Sequence, residues 1–350
     1  MIDFRYHLVS IVAVFLALAI GIVLGSTELQ GPAFSLLDKT TSKLQNELGQ
    51  VSSQRDTAQQ QATEGEMYAQ AVEPAVLHDL LTGHRLLIVT EPGAQSSVVS
   101  GITSAAIHAG ATVTGQINLQ PKFFDTSGTA QDSLNQTTLA VAQPTGLQLD
   151  TSATYQQQAA QLIASEILTS APGAAAGNTT SGGNQGTSTD ASTMLQAYAA
   201  SQFLSTSGQP ATPASLAVVV TPQTAPSDGS ADQLAQVLPP LVQELAAKSG
   251  ATVVVGSSAG SGAGSPIAVL RSNSVSSQVS TVDDADLAAG QTVAMQALAV
   301  ELAGGKAGSY GFTANGATAI APSPAPTPSA SASATPSSSS TSTKKKKASR

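Results

Sequence analysis

The sequence predicts an α/β protein in which an N-terminal transmembrane helix and a coiled-coil helix precede a mostly parallel, helix-covered sheet and a disordered C-terminal tail. Three observations predict this class. An apolar run opens the chain, a heptad pattern follows it, and short apolar runs then alternate with helical stretches. Strand-like runs that alternate with helices are typical of parallel sheets. We predict four regions, which are a membrane anchor at 1–26, a stalk at 27–72, an α/β domain at 73–320 with a flexible insertion at 171–193, and a tail at 321–350.

The anchor is predicted from residues 8–25, an apolar run of 18 residues in which Ser10 is the only clearly polar side chain. At a rise of about 1.5 Å per residue, the run is close in length to the hydrocarbon core of a bilayer. A cleaved signal peptide is the alternative, but its small-residue site, Ala17-Leu18-Ala19, lies inside the run. We therefore expect an uncleaved, single-pass anchor in the cell membrane or cell envelope. Arg5 and the α-amino group favour an inside amino terminus, with the bulk of the chain extracytoplasmic.

Two patterns near the amino terminus predict a homo-oligomer. Small residues at every fourth position of the apolar run would let two helices pack closely in lipid, and these residues are Ala13, Ala17, Gly21 and Gly25. Farther along, alternating spacings of four and three give the a/d register of a coiled coil, whose seam contains Leu37, Leu44, Leu48 and Val51. A solitary amphipathic helix remains the alternative, because Arg55 weakens the seam and Gly65 ends it.

The α/β region contains one strand-helix-strand pattern twice. The predicted ranges are 85–92, 97–109 and 111–119 in the first unit, and 215–222, 231–248 and 251–257 in the second. Continuous apolar strands indicate a parallel sheet that is covered by helices. Pro239 and Pro240 should break or kink the helix of the second unit. We also expect a strand at Ile267–Leu270 and a last helix at Leu287–Leu302.

Composition excludes several classes of function. The chain has no cysteine, which excludes disulfides, thiolate metal sites and cysteine nucleophiles. Its net charge is −8, and five of its 14 basic residues lie within residues 344–350, so the rest of the chain is more acidic still. Nucleic-acid binders present a basic face, and we therefore predict no nucleic-acid partner. The four histidines favour other interpretations than a general base, and we predict that the chain is not an enzyme.

Parallel sheets bind ligands beyond the carboxyl ends of their strands, which the prediction places at 90–95 and 221–228. Neither segment has the Gly-x-Gly-x-x-Gly fingerprint or a phosphate-loop lysine. The run Gly256–Gly264 is rich in glycine, but no lysine follows it, and Pro266 opens a predicted strand instead of a helix. We interpret this run as a loose loop, and no cofactor is evident.

Six residues are candidate metal ligands, namely His78, His84, His108, Asp283, Asp284 and Asp286. Each also has a simpler interpretation. His78 and His84 precede the first strand, where an exposed linker explains them, and His108 suits the negative end of its helix. The three aspartates could hold a hard cation, but their place before the last helix favours capping of its backbone N–H groups.

The predicted tail is composed almost wholly of Pro, Ala, Ser and Thr over residues 321–343. Such a composition cannot bury enough apolar surface to fold. The segment Lys344–Lys347 then forms a basic tip. This tip could contact anionic envelope polymers outside the cell or anionic lipid inside it, and a tip that binds nothing is the alternative.

Three stretches together resemble one family. They are the amino-terminal MIDFRYHLVSIVAVFLALAIGIVLGS, the join from Glu73 to Gly115, and LRSNSVSSQVSTVDDADLAAGQ running on to residues 307–311. They are similar to the actinobacterial copper transporter family typified by the mycobacterial copper transport protein B, over about residues 1–312 and in the same order. The resemblance implies a role in copper transport and copper homeostasis, and in mycobacteria an outer-membrane channel. Copper is implied by the resemblance only.

The chain departs from what a copper conduit requires. Copper(I) prefers thiolate and thioether ligands, yet Cys is missing and Met67, Met194 and Met295 are far apart in sequence. One apolar helix cannot enclose a pore alone. Two hypotheses therefore stand: a copper-homeostasis transport or channel component, and an oligomeric envelope scaffold or binding module with no transport chemistry of its own.

Overall fold

The computed structural model describes residues 4–170, 188–223, 231–257, 264–311 and 317–322. The chain divides into two units, Met1–Tyr68 and Ala69–Arg350. Most of the predicted insertion, residues 171–187, and most of the predicted tail, residues 323–350 with the basic tip, lie outside the described residues.

Helix α1 spans Phe4–Leu77 and contains the residues predicted as anchor and stalk. Its segment Arg5–Gly25 is long and apolar enough to cross a membrane, and none of it is buried within the described chain. At the other end of α1, Leu77 is completely buried in the second unit. The N-terminal apolar helix of the predicted fold class is therefore confirmed.

The second unit is built on a mixed sheet of seven strands in the order β3-β2-β1-β4-β5-β6-β7. The strands are β1 Arg85–Thr90, β2 Thr112–Leu119, β3 Leu204–Gly208, β4 Leu216–Val220, β5 Ala251–Val255, β6 Ser280–Val282 and β7 Ser309–Tyr310. All neighbouring pairs are parallel except β2 and β3. The prediction of a mostly parallel sheet is confirmed, with one antiparallel strand at an edge.

Helices cover both faces of this sheet. They are α2 Ser96–His108, α3 Pro121–Phe124, α4 Gly128–Thr145, α5 Tyr155–Ile167, α6 Ser188–Ala200, α7 Ala231–Lys248, α8 Pro266–Arg271 and α9 Ala288–Leu302. One apolar core contains residues of α3 to α8 and the other contains residues of α2, α9 and the end of α1. Alternate residues of each central strand enter opposite cores: Leu87 and Val89 face the first, and Leu86 and Ile88 face the second.

The two predicted strand-helix-strand units are β1-α2-β2 and β4-α7-β5. Their first strands pair directly, with Leu86 opposite Leu216 at the start and Thr90 opposite Val220 at the end. Gly110 links α2 to β2 with φ +82°, a conformation that favours glycine. The two units therefore meet at the centre of one continuous sheet.

Three local predictions are wrong. Residues 267–270 belong to helix α8 instead of a strand, because Pro266 occupies the first turn and the Ser265 side chain accepts a hydrogen bond from the Ala268 amide. The predicted break at Pro239 and Pro240 is wrong, because helix α7 continues through both residues and a row of buried leucines and valines holds it against the core. A kink at these prolines stays a prediction.

The third wrong prediction is the extent of the insertion. Residues 188–193 lie in helix α6, which begins at Ser188. This helix forms because Ala191, Leu195 and Tyr198 are buried in the first core. The polar composition before residue 188 therefore does not extend the loop to residue 193.

Candidate functional site

The candidate site lies where the two strand-helix-strand units, β1-α2-β2 and β4-α7-β5, meet in the sheet. From β1 the chain proceeds to β2 on one side of the sheet, and from β4 it proceeds to β5 on the other. In open α/β sheets, ligands bind beyond the carboxyl ends of the strands at such a switch point. We call the row of residues that directly follow β1, β4, β5 and β6 the carboxyl edge. Its members are Glu91, Thr221, Gly256 and Asp283.

Glu91 and Thr221 are neighbours at the switch point. The sheet ladder continues through them, because the Glu91 N–H donates to the Val220 carbonyl and the Thr221 N–H donates to the Val255 carbonyl, both at 2.9 Å. Glu91 follows Val89 by two residues, as Thr221 follows Val219. Strand alternation therefore places both side chains on the face of the first core.

The Glu91 carboxyl group is buried, and no counter-charge meets it in the part of the chain that the structure describes. The residue is 3% exposed, and its Oε1 atom has no hydrogen-bond partner. Burial raises the pKa of Glu91 to about 8, so most of the carboxyl groups carry a proton at neutral pH. Among the described residues, no Lys, Arg or His side chain forms an ion pair with it. A carboxyl group perturbed in this way at a switch point is typical of a functional site.

The loops that leave β1 and β4 contact each other. Gly93 has φ +84°, and a Cβ atom on it would lie 3.3 Å from the Pro222 Cβ. Gln95, the N-cap residue of α2, donates a hydrogen bond from Nε2 to Gln223 Oε1. Pro92 and Pro222 directly follow Glu91 and Thr221 and have no backbone N–H. The first two residues after each strand therefore offer no free backbone donor, whereas the N-terminus of α2, whose N-cap residue makes no side-chain cap hydrogen bond, does.

Asp283, the first of the three aspartates before α9, has another role than the predicted capping. Asp283 is completely buried, and its Oδ2 lies 2.8 Å from Arg271 Nη1. Arg271 also donates to the Thr281 hydroxyl and the Tyr310 carbonyl. Leu287 occupies the N-cap position of α9 and its side chain makes no cap hydrogen bond. Capping by Asp283 is therefore wrong, because Arg271 binds this carboxylate. Asp284 is buried beside it, and Asp286 is exposed.

The three candidate histidines lie at the opposite, amino edge of the sheet, where His78 and His84 flank the turn before β1 and His108 ends α2. Each contacts a different partner through Nδ1: Asp79 Oδ2 at 3.0 Å from His78, Ser215 Oγ at 3.2 Å from His84, and Glu73 Oε1 at 2.9 Å from His108. Among the described residues, no group of three or more His, Cys, Asp or Glu side chains is placed to hold a metal ion.

In α1, the predicted packing residues all lie on exposed helix surface. The small stripe of Ala13, Ala17, Gly21 and Gly25 is exposed in the single chain. The seam residues are also exposed, with fractions of 63% for Leu37, 53% for Leu44, 68% for Leu48 and 61% for Val51. Exposed leucines at heptad spacing are available to a partner helix, and the predicted oligomer stays a prediction.

Sequence reasoning missed Glu91, Gln95 and Gln223 as site residues. A glutamate directly after a continuous apolar strand, followed by proline, was the available signal for Glu91. The contact between the two glutamines joins residues 128 positions apart, and only the pairing of β1 with β4 brings them together. Of the glycine-rich run, residues 258–263 lie outside the described residues.

Comparison with known proteins identifies a matching family and similar proteins, which the geometry of the site alone does not. Residues 1–322 match the family described as "Copper transport outer membrane protein, MctB". Proteins named "Copper transporter MctB" from Mycobacterium tuberculosis and Mycobacterium bovis are 27% identical to the chain over 322 residues, covering 91% of the chain and 99% of each relative. A protein of the same name from Mycobacterium leprae is 28% identical over 326 residues, with the same coverage.

Proposed function

The chain belongs to the family of copper transport outer membrane proteins, MctB, and from this membership we propose that it acts in copper transport and copper homeostasis at the cell envelope. The observation that carries the proposal is the match across residues 1–322, which includes the apolar segment and the whole described sheet. The relatives are named for copper transport, and we propose no enzymatic activity.

A deletion strain tests this function. Loss of the protein should change cellular copper and leave zinc and the entry of an uncharged dye unchanged, and the full chain should restore the wild-type copper level. A change that extends equally to zinc and the dye would contradict a copper function. A chain that lacks residues 5–25 separates anchoring from the rest, because it should fail to restore copper even when it is expressed.

The proposed topology is a single membrane crossing by Arg5–Gly25, with the second unit outside the cytoplasm. One apolar helix supports this topology. Because the chain has no cysteine, Ser100→Cys on exposed surface of α2 provides a single reactive thiol. An impermeant maleimide should label this thiol in intact cells. Labelling only after lysis would reverse the topology.

The alternative function is an oligomeric scaffold or binding module without transport chemistry. Two observations favour it: one candidate membrane helix among the described residues, and soft ligands that are separated in the fold. Met194 and Met295 are buried in cores on opposite faces of the sheet. We therefore propose that a single chain binds copper(I) weakly. Titration against a copper(I) chelator tests this. A tight site that disappears on His78→Ala or His84→Ala would establish direct copper handling.

We propose that α1 self-associates through its seam. Leu44→Lys with Leu48→Lys places charges at d and a positions and should lower the oligomer size of the full chain in detergent. Asn46→Lys with Gln50→Lys adds the same charge outside the seam and should leave the size unchanged. A wild-type chain that is monomeric at high concentration would refute the proposal.

For the basic tip Lys344–Lys347, outside the described residues, we propose contact with anionic envelope polymers or lipid. Deletion of residues 344–350 should weaken retention on anionic cell-wall fragments, and the difference should disappear at high salt. Equal retention with and without the tip would favour a tip that binds nothing.

A further inference from the structure

We propose that the carboxyl edge of β1 and β4 is a binding site for a small organic cation, whose ammonium or amidinium group ion-pairs with Glu91. This site is separate from the copper role. The proposal rests on three features: a buried acid, Glu91, whose Oε1 atom has no hydrogen-bond partner, the chemistry of the loops that follow β1 and β4, and the position of Glu91 in the sheet.

The first argument is the missing counter-charge. Glu91 is 3% exposed and its Oε1 atom has no hydrogen-bond partner. At the same edge another buried acid has a cationic partner within the chain, since Asp283 Oδ2 lies 2.8 Å from Arg271 Nη1. A buried polar group without a partner destabilises the fold. A ligand that brings a cationic donor supplies the partner that Glu91 lacks.

The second argument is the shortage of backbone donors on the two residues that directly follow each of the two strands. The backbone N–H groups of Glu91 and Thr221 are used by the sheet, and the next residue in each loop is a proline. The amide of Gln95 donates to Gln223 Oε1, which leaves the Gln95 carbonyl as an acceptor. An anion needs donors, whereas a cation with several N–H groups matches a carboxylate and amide carbonyls.

The third argument separates an organic cation from a metal ion. Among the residues that the structure describes, no three His, Cys, Asp or Glu side chains converge on a metal-sized site. The other acids at this edge are engaged: Asp283 with Arg271, while Asp284 and Asp286 also have partners. A planar amidinium or an ammonium needs only one carboxylate and a few carbonyl oxygens.

Three probes of nearly equal size and different charge test the proposal: acetamidinium, acetamide and acetate. Each is added to the full chain in detergent, and saturation-transfer NMR on its methyl group reports binding. We expect binding of acetamidinium and no binding of acetamide or acetate. Because the cation must replace a proton, its apparent affinity should fall roughly tenfold for each pH unit below the Glu91 pKa of about 8.

Glu91→Gln removes the charge and keeps the shape. It should weaken acetamidinium binding at least about thirtyfold, the effect of removing one partner of a buried charge pair, and should abolish the pH dependence. The matched control is Glu166→Gln. Glu166 is also buried, also has an oxygen without a hydrogen-bond partner, and lies on α5. This variant should bind acetamidinium like the wild type.

Three results would overturn the proposal. One is stronger binding of acetate or acetamide than of acetamidinium. Another is equal acetamidinium binding by Glu91→Gln and the wild type. The third is binding of calcium or copper ions that depends on Glu91, without binding of acetamidinium. This result would make the site a metal site. If Glu91→Gln does not fold, the order of the three probes on the wild-type chain decides the outcome alone.

Discussion

At the carboxyl edge of the sheet, Asp283 after β6 meets a cationic partner, whereas Glu91 after β1 meets none among the residues that the structure describes. Both acids are buried, and both directly follow a parallel strand. Asp283 is bound by Arg271, which also bonds to Thr281 and Tyr310 and thereby joins α8 to β6 and β7. The comparison teaches that this fold can supply one buried acid with a cation from within the chain and leave another acid at the same edge without a cation among the described residues.

The largest expected effect comes from breaking the satisfied pair. Arg271→Met leaves Asp283 buried without its cation and should destabilise the chain by about 3–5 kcal/mol, as removal of one partner from a buried ion pair does. Urea unfolding of the full chain in detergent measures this change. Arg271→Met with Asp283→Leu removes both charges and should recover part of the loss. A double variant no more stable than the single one would mean that Arg271 acts mainly through Thr281 and Tyr310.

The second prediction concerns Glu91 and depends on pH. Its folded pKa of about 8 exceeds the ordinary value of 4.5, so the folded state binds this proton more tightly than the unfolded state. The corresponding stability is complete below pH 4.5 and is lost as the pH rises to about 8, at about 1.4 kcal/mol per pH unit. Glu91→Gln cannot ionise and should become more stable than the wild type across this range.

Urea unfolding of the wild type and Glu91→Gln at several pH values between 5 and 8 measures the difference. Burial also raises the pKa values of Glu166 and Glu301. These residues are the same in the wild type and in Glu91→Gln, so the difference in stability between the two isolates Glu91. A constant difference between the two chains would show that Glu91 ionises normally. In that case the contrast with Asp283 would lose its basis.

The fold was predictable to the extent that it depends on local pattern. Strands β1, β4 and β5 carry runs of Val, Leu and Ile, strand β2 alternates apolar with mostly polar residues, and each of the four was predicted. Strand β3 is Leu-Ser-Thr-Ser-Gly and β6 is Ser-Thr-Val, and such polar segments become strands only because a neighbour offers a hydrogen-bonding edge. The run Ile267–Leu270 is too short for its apolar character to distinguish helix from strand.

The candidate site was predictable in position and not in chemistry. The sequence placed the carboxyl ends of the two units near 90–95 and 221–228, and the described parts of both segments lie at the switch point. Whether an acid there has a partner depends on contacts between distant residues. Arg271 lies 12 residues before Asp283, and only the α8–β6 packing joins them. The local sequence places Glu91 at the end of an apolar strand, but it does not show whether another side chain reaches the carboxyl group.

The third prediction compares two glycines, one beside each acid. Gly311 has φ +150°, and a Cβ atom on it would overlap the Asp283 carboxylate. Gly311→Ala should therefore cost about 1–3 kcal/mol through strain and displacement of Asp283. A Cβ atom on Gly93 would only press lightly on Pro222, at 3.3 Å, so Gly93→Ala should cost about 1 kcal/mol, mainly from its positive φ. Thermal unfolding of the two variants ranks them, and the reverse order would mean that the Glu91 loops are the more rigid of the two regions.

The smallest expected effect concerns the hydrogen bond between Gln95 and Gln223, which we call the glutamine bridge. The experiment tests whether this bridge excludes water from Glu91. Gln223→Ala removes the hydrogen bond from Gln95 between two half-buried side chains and should destabilise the chain by only about 0.5–1 kcal/mol. If the bridge excludes water from Glu91, the same change should admit solvent, lower the Glu91 pKa toward 4.5 and flatten the pH dependence of stability. Gln157→Ala is the matched control, since Gln157 donates to Glu244 at 3.0 Å, away from the switch point. The control should lose similar stability and keep the full pH dependence. An undiminished pH dependence in Gln223→Ala would show that the strands themselves, and not the loops above them, desolvate Glu91.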